Sequence, residues 1–158
     1  MRRWWGVATL FLGGVWMLAD VTFAAAATNR AGGITKFNGV DEIVEACTTS
    51  MSFVDMPAMS KTFTQGGSGS DEVVAIFSAA ASLHGTQNDT GFVRLRIGTT
   101  TQTPGEVPLI AEGTSGEHGF TWQTAPLAAG SRTIRVQWRT DLGSTFCVDA
   151  RSLIIEHK

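Results

Sequence analysis

Ser131-Arg-Thr-Ile-Arg-Val-Gln-Trp-Arg-Thr-Asp141 is the stretch on which the fold assignment turns. Ile134, Val136 and Trp138 alternate with Arg135, Gln137 and Arg139. Successive side chains of a strand point to opposite faces, so this spacing predicts a strand with one apolar and one polar face. Gly143 follows and closes it. Phe92–Ile97 repeats the pattern, with Val93, Leu95 and Ile97 inward and Arg94 and Arg96 outward.

Ser152–His157 predicts the last strand, with Leu153 and Ile155 on one face and Ile154 between them. Asp71–Ala81 is apolar on both faces from Val73 to Phe77, as in a strand covered on both sides, and its small Ala79-Ala-Ala81 reads as exposed. Val40, Ile43, Val44 and Cys47 have helical spacing, but the run is eight residues long and leads into Thr-rich Cys47–Val54. Isolated helices of that length are marginal, so the segment reads as strand.

Turn-forming clusters separate the runs: Gln65–Ser70, Gly85–Gly91, Thr100–Gly105, Gly113–Gly116 and Ala128–Ser131. Turns at this density, with no long helix between them, indicate an all-β fold of two antiparallel sheets packed as a sandwich.

The N-terminus is organised differently. Met1-Arg2-Arg3, an apolar run from Trp4 to Ala19, Asp20, Val21-Thr22-Phe23 and four alanines to Ala27 follow the layout of a secretory signal peptide. The domain reading is a signal peptide with an apolar signal helix over 1–27, a flexible arm over 28–42 and a β-sandwich over 43–158. An uncleaved anchor is the alternative, and only then would the chain meet a membrane. Trp4–Ala19 falls short of the ~20 residues that span a bilayer, and extending it to Ala27 encloses Asp20. Arg2-Arg3, at the extreme start and followed by Trp-Trp, is a weak twin-arginine signal. The expected location is secreted or periplasmic.

Removing 27 of the 158 residues leaves 131, enough for one domain with its own core. Arg2, Arg3 and Asp20 leave with the leader, so 10 basic residues face 13 acidic ones, a net charge of −3. That balance gives no electrostatic footprint for nucleic acid. Tyrosine is absent, which excludes tyrosine-lined carbohydrate platforms and leaves Trp122, Trp138 and the phenylalanines.

Cys47 and Cys147 are the two cysteines. In an exported chain an even count favours a disulfide, which would make the first and last strands neighbours. Two buried free thiols are the alternative. Two cysteines without a nearby histidine form no zinc spacing, so neither a metal nor a cofactor is expected.

Ser52-Phe-Val-Asp-Met-Pro57, Thr62-Phe-Thr-Gln-Gly-Gly67, Asp71-Glu-Val-Val-Ala-Ile-Phe77, Leu127–Arg139 and Arg151-Ser-Leu-Ile-Ile155 resemble uncharacterised bacterial and phage-associated jelly-roll domains. Those are similar in strand pattern to the C1q and tumour-necrosis-factor group. The likeness covers Ile43 to Lys158. It implies a jelly roll rather than an immunoglobulin or fibronectin sandwich, implies a homo-oligomer (a trimer by analogy), and brings no catalytic residues.

Chemistry-bearing motifs are sparse. His84 and His118 lie in Gly-rich stretches and His157 is penultimate; all three read as solvated and none has ligand spacing. Asn88-Asp89-Thr90 matches a glycosylation acceptor but reads as a turn, and three oxygens from Gln87–Asp89 fall short of a calcium shell. Glu112 and Glu117 flank Gly113–Gly116 without further support for a hydrolase.

Arg94, Arg96, Arg135 and Arg139 are the one constellation with a function attached. If their strands are neighbours, four guanidiniums form an outward face able to grip carboxylates or phosphates. The bland alternative is a solvated face paired with acids on adjacent strands. The expectation is an exported, non-catalytic binding module for a glycan or anionic surface. A structural subunit of an oligomeric assembly is second and a hydrolase third.

Overall fold

In the computed structural model, which describes residues 36–158, the alternating runs Phe92–Ile97 and Ser131–Asp141 become neighbouring antiparallel strands. All nine elements among the described residues are strands: β1 (Lys36–Glu42), β2 (Ala46–Thr48), β3 (Val54–Asp71), β4 (Val74–His84), β5 (Thr90–Ile97), β6 (Thr100–Ala111), β7 (Ser115–Gln123), β8 (Leu127–Thr140) and β9 (Thr145–His157). One sheet runs β1-β9-β4-β7 with β2 also on β9; the other runs β3-β8-β5-β6. Strands β2 to β9 thus form two four-stranded sheets in the orders 2-9-4-7 and 3-8-5-6, the jelly-roll arrangement of two Greek keys. From β2 onward only β5 and β6 are consecutive strands that share a sheet; the other connections cross the sandwich.

The core lies between the inner faces. Ala75, Phe77, Ala79, Ala81 and Leu83 of β4 meet Val93, Leu95 and Ile97 of β5 and Ile134, Val136 and Trp138 of β8 in one buried cluster. The Trp138 ring of one sheet tilts against Phe146 of the other at 5.1 Å, a geometry that aromatic pairs prefer.

Several expectations change. The proposed arm over 28–42 is not an arm at its end: Lys36–Glu42 is β1, paired residue for residue with Glu42↔Arg151 to Lys36↔His157 of β9. Its polar, Gly-containing sequence hid it: Val40 packs against the core, and the ladder to β9 holds the rest of the strand. The leader 1–27 and the arm up to residue 35 lie outside the described residues. Ala79 and Ala81 are buried rather than exposed; only Ala80 of that trio faces outward. Gln65–Ser70 and Ala128–Ser131 are not turns but lie within β3 and β8, where the register shifts between Gln65 and Ser70. Thr100–Gly105 lies within β6, next to a shift opposite Arg94–Arg96.

His157 is not solvated. It is 1% exposed, its ring lies 4.9 Å from that of Phe63, and its Nε2 is 2.6 Å from Asn38 Nδ2. Arg151 is also buried and donates to backbone carbonyls: Nε and Nη2 to Pro57 at 3.2 Å, and Nη1 to Val44 at 2.6 Å. It ties β9 of one sheet to β3 of the other.

The cysteines are bonded. Cys47 and Cys147 stand directly opposite in the β2–β9 ladder and form a disulfide across 100 residues of sequence. A three-residue edge strand has little hold of its own, so the covalent link is what keeps β2 on β9. The bond fits an extracellular or periplasmic protein. Closing a loop of that length is worth up to about 4.7 kcal/mol in the chain-entropy estimate. The double variant Cys47→Ser/Cys147→Ser is expected to lose about 2–4 kcal/mol in urea unfolding; an unchanged midpoint would contradict a stabilising role.

A second brace is a single carboxylate. Asp89, 1% exposed, accepts four backbone N–H bonds: from Thr90 (2.6 Å), Asp141 (2.9 Å), Leu142 (2.9 Å) and Ser144 (2.8 Å). It fixes the turn before β5 against the β8–β9 loop. Three of these bonds fall on Oδ1 and one on Oδ2. Burial alone would raise its pKa, but the bonds from Ser144, Leu142 and Thr90 outweigh it and lower the value from 3.8 to about 2. With the folded pKa depressed, the stabilisation is present above pH 4 and lost as pH falls through 2. The stability gap between wild type and Asp89→Asn should therefore narrow by about 2 kcal/mol between pH 4 and pH 2. Urea titrations across that range measure it, and a gap independent of pH would count against the brace.

Candidate functional site

The β5–β8 register decides where the four arginines go. Arg96 stands directly opposite Arg135, Arg94 opposite Gln137, and Arg139 opposite Phe92. Their partners on the inner side are core residues, so all four leave the sheet on its outer face. The sequence expectation that these strands are neighbours is met, and one sheet face does hold the four guanidiniums.

They do not form one uniform patch. Phe53, in the segment before β3, lays its ring over two of them: the Arg94 guanidinium carbon is 4.0 Å from the ring centroid and that of Arg139 is 5.3 Å. Arg139 also lies 4.4 Å from the Phe92 ring. Arg139 binds Glu106 (3.2 Å) and Asp141 (2.9 Å), and its side chain is only 15% exposed. Burial works against its charge, but the bonds to Asp141 and Glu106 prevail and raise its pKa. Arg94 donates from Nε to Gln137 Oε1 at 2.8 Å, and Gln137 in turn donates to Asp55 at 2.6 Å. Burial, then neighbouring Arg96, lower the Arg94 pKa. This half of the face is closed.

The other half is open. Arg135, 34% exposed, holds Asp55 at 3.1 Å through Nη1. Arg96 donates to the Thr99 carbonyl. None of the ion pairs among the described residues involves Arg94 or Arg96. Like charges directly opposite each other on two strands are destabilising; Asp55 offsets this at Arg135, and none of the ion pairs among the described residues does so at Arg96.

Beside this pair runs a groove of about 640 Å³. It lies between the β5–β6 turn (Gly98, Thr99), the segment before β8 (Ala125, Pro126) and the first half of β8, including Arg132 and Arg135. A smaller groove of about 270 Å³ beside the disulfide is lined by Glu45, Glu117 and Asp149, with Ser82 and Ser115. Glu45 and the two cysteine sulfurs lie within 4.8 Å of one another, but both sulfurs are in the disulfide and so are not thiolate ligands. His84 ends β4 and His118 lies within β7 rather than in a loop.

Phe53, Asp55, Gln137, Glu106 and Arg132 were not singled out from the sequence as site residues. Gln137 sits between Arg135 and Arg139 in the same alternation and was within reach of it. Phe53 was not: a lone aromatic outside a strand carries no periodic signal.

No family model matches the chain and no curated protein does. Among solved structures it is similar to dimeric latent PorU from Porphyromonas gingivalis, at 11% identity and TM-score 0.42, over 76% of this chain and 13% of that one. It is also similar to the CBM22-1–GH10 modules of Clostridium thermocellum endo-1,4-β-D-xylanase 10B, at 14% identity and TM-score 0.41, over 77% of this chain and 26% of that one. A third likeness is the CBM36-1 domain of a multidomain xylanase from the hindgut metagenome of Trinervitermes trinervoides, at 14% identity and TM-score 0.39, over 75% of this chain and 96% of that one. The chain thus spans a small share of the first two. With these TM-scores below 0.5, the fold assignment stands on the strand order and the site on its own geometry.

Proposed function

We propose that this chain is an exported, non-catalytic β-sandwich module that binds acidic glycan at the outer face of the β3-β8-β5-β6 sheet. One observation carries the reading: Arg96 and Arg135 face each other across neighbouring strands, and no carboxylate among the described ion pairs answers Arg96. Guanidiniums on directly paired residues of one sheet face supply forked N–H donors of the kind that grip an oxyanion. Phe53, Gln137 and Glu106 hold Arg94 and Arg139 in place beside them. The disulfide supports export, as does the leader read from residues 1–27. Likeness to the C1q and tumour-necrosis-factor group belongs to the same reading, supported by the jelly-roll strand order.

The double variant Arg96→Gln/Arg135→Gln is expected to bind an acidic-glycan array at least tenfold more weakly at low salt. Wild-type binding should itself weaken as salt rises, because exposed charges are screened. Equal binding by variant and wild type would refute the assignment.

The opposite face supports a second reading, that of a structural subunit. Ile76 of β4 stands opposite Ile154 of β9, which is 40% exposed, and Phe37 of β1, diagonal to Ile154, is 68% exposed. An exposed apolar face of this kind predicts a dimer or larger species in size-exclusion chromatography with light scattering. A monomer at every concentration would rule it out.

A further inference from the structure

Strand β5 ends at Ile97, opposite Ile134, while β8 extends back to Leu127. Over Ser131–Thr133 this part of β8 pairs with β3 on one side. On the other side the Gly98 amide donates to the Thr133 carbonyl at 2.9 Å, and there the groove of about 640 Å³ opens. The volume lies within the roughly 300–1,000 Å³ of ordinary small-molecule sites.

Arg132 and Arg135 both line it. An odd spacing on a strand sends side chains to opposite faces, so the two reach the groove from either side of β8. Each has donors to spare. Arg132 Nη2 donates to the Ala128 carbonyl at 3.2 Å and Arg135 Nη1 is engaged by Asp55, which leaves Arg132 Nη1 and Arg135 Nη2 for a ligand. Thr99, Thr100, Ser131 and Thr133 add hydroxyls to the walls, and no aspartate or glutamate is among the lining residues. Two forked cations and several hydroxyls, with Asp55 on Arg135 as the one acid held from outside the groove, match a sugar ring that carries an oxyanion.

We infer that this groove is a subsite for one acidic sugar unit. Its carboxylate or sulfate sits between Arg132 and Arg135, and its ring hydroxyls meet the threonine and serine side chains. The inference rests on the proposed function and sharpens it: Arg132, from the other side of β8, joins the outer arginine face in holding the glycan.

Isothermal titration of the full chain tests it, with polygalacturonate as the carboxylate probe, dextran sulfate as the sulfate probe and neutral dextran as the control. At least one polyanion should bind and neutral dextran should not; which one binds assigns the oxyanion. Arg132→Gln, which removes the inner-side cation, and Thr99→Trp, which fills the groove from an exposed turn, should each weaken binding tenfold or more. Lys36→Gln, an exposed charge on the other sheet, should stay within twofold of wild type. Thermal unfolding of each variant confirms that it is folded. If both groove variants bind like wild type while Arg96→Gln/Arg135→Gln is weakened, the groove is overturned and the outer face stands. If neither polyanion binds, or only vesicles of phosphatidylglycerol do, both are overturned.

Discussion

The antiparallel register between β5 and β8 governs the core and the site together. With Leu95 opposite Val136 and Ile97 opposite Ile134, the inner face is apolar. The same alignment sets Arg96 against Arg135 and Arg94 against Gln137 outside. Side-chain direction alternates residue by residue, so a slip of one position would bury the arginines and expose the aliphatic residues. The burial of Val93, Leu95, Ile134 and Val136 therefore fixes where the guanidiniums stand. The face inherits its precision from the core behind it.

That precision has an energetic cost. Opposed like charges on neighbouring strands destabilise a sheet. The sandwich answers for three of the four arginines: Asp55 takes Arg135, Glu106 and Asp141 take Arg139, and Phe53 with Gln137 holds Arg94. Arg96 is left with one backbone carbonyl. An uncompensated charge beside a like charge costs stability that a bound oxyanion would offset, and the proposed binding role of the open half of the face rests on that cost.

The alternation of β5, β8 and β9 was legible in the sequence because each has one face in the core and the other in solvent. The pairing of first and last strands was legible from two cysteines. What sequence periodicity missed has a common cause in long-range geometry. Met56 and Met59 are both buried although an odd spacing separates them, because β3 shifts register between Asp55 and Ser60. Asp89 resembles any acid in a polar turn until the amides of residues 141–144 fold onto it. Arg132 lies on the inner side of β8, where alternation predicts core, and becomes a groove residue only because β5 stops at Ile97. β1 carries too few apolar residues to be seen at all.

Strands β8 and β9 follow the other seven described strands in sequence, yet each lies inside its sheet. Without β9, β1 and β2 have no neighbour and only the β4–β7 pair is left; without β8, β3 is cut off from the β5–β6 hairpin. A chain made from its N-terminus therefore cannot join β3 to the β5–β6 hairpin until Leu127–Thr140 has been synthesised, and cannot complete the other sheet until Thr145–His157 follows. Each sheet is thus completed by a strand that follows most of its neighbours in sequence. For the exported module proposed above, a stretch that stops short of β8 would hold neither sheet complete and would so stay threadable through a narrow channel.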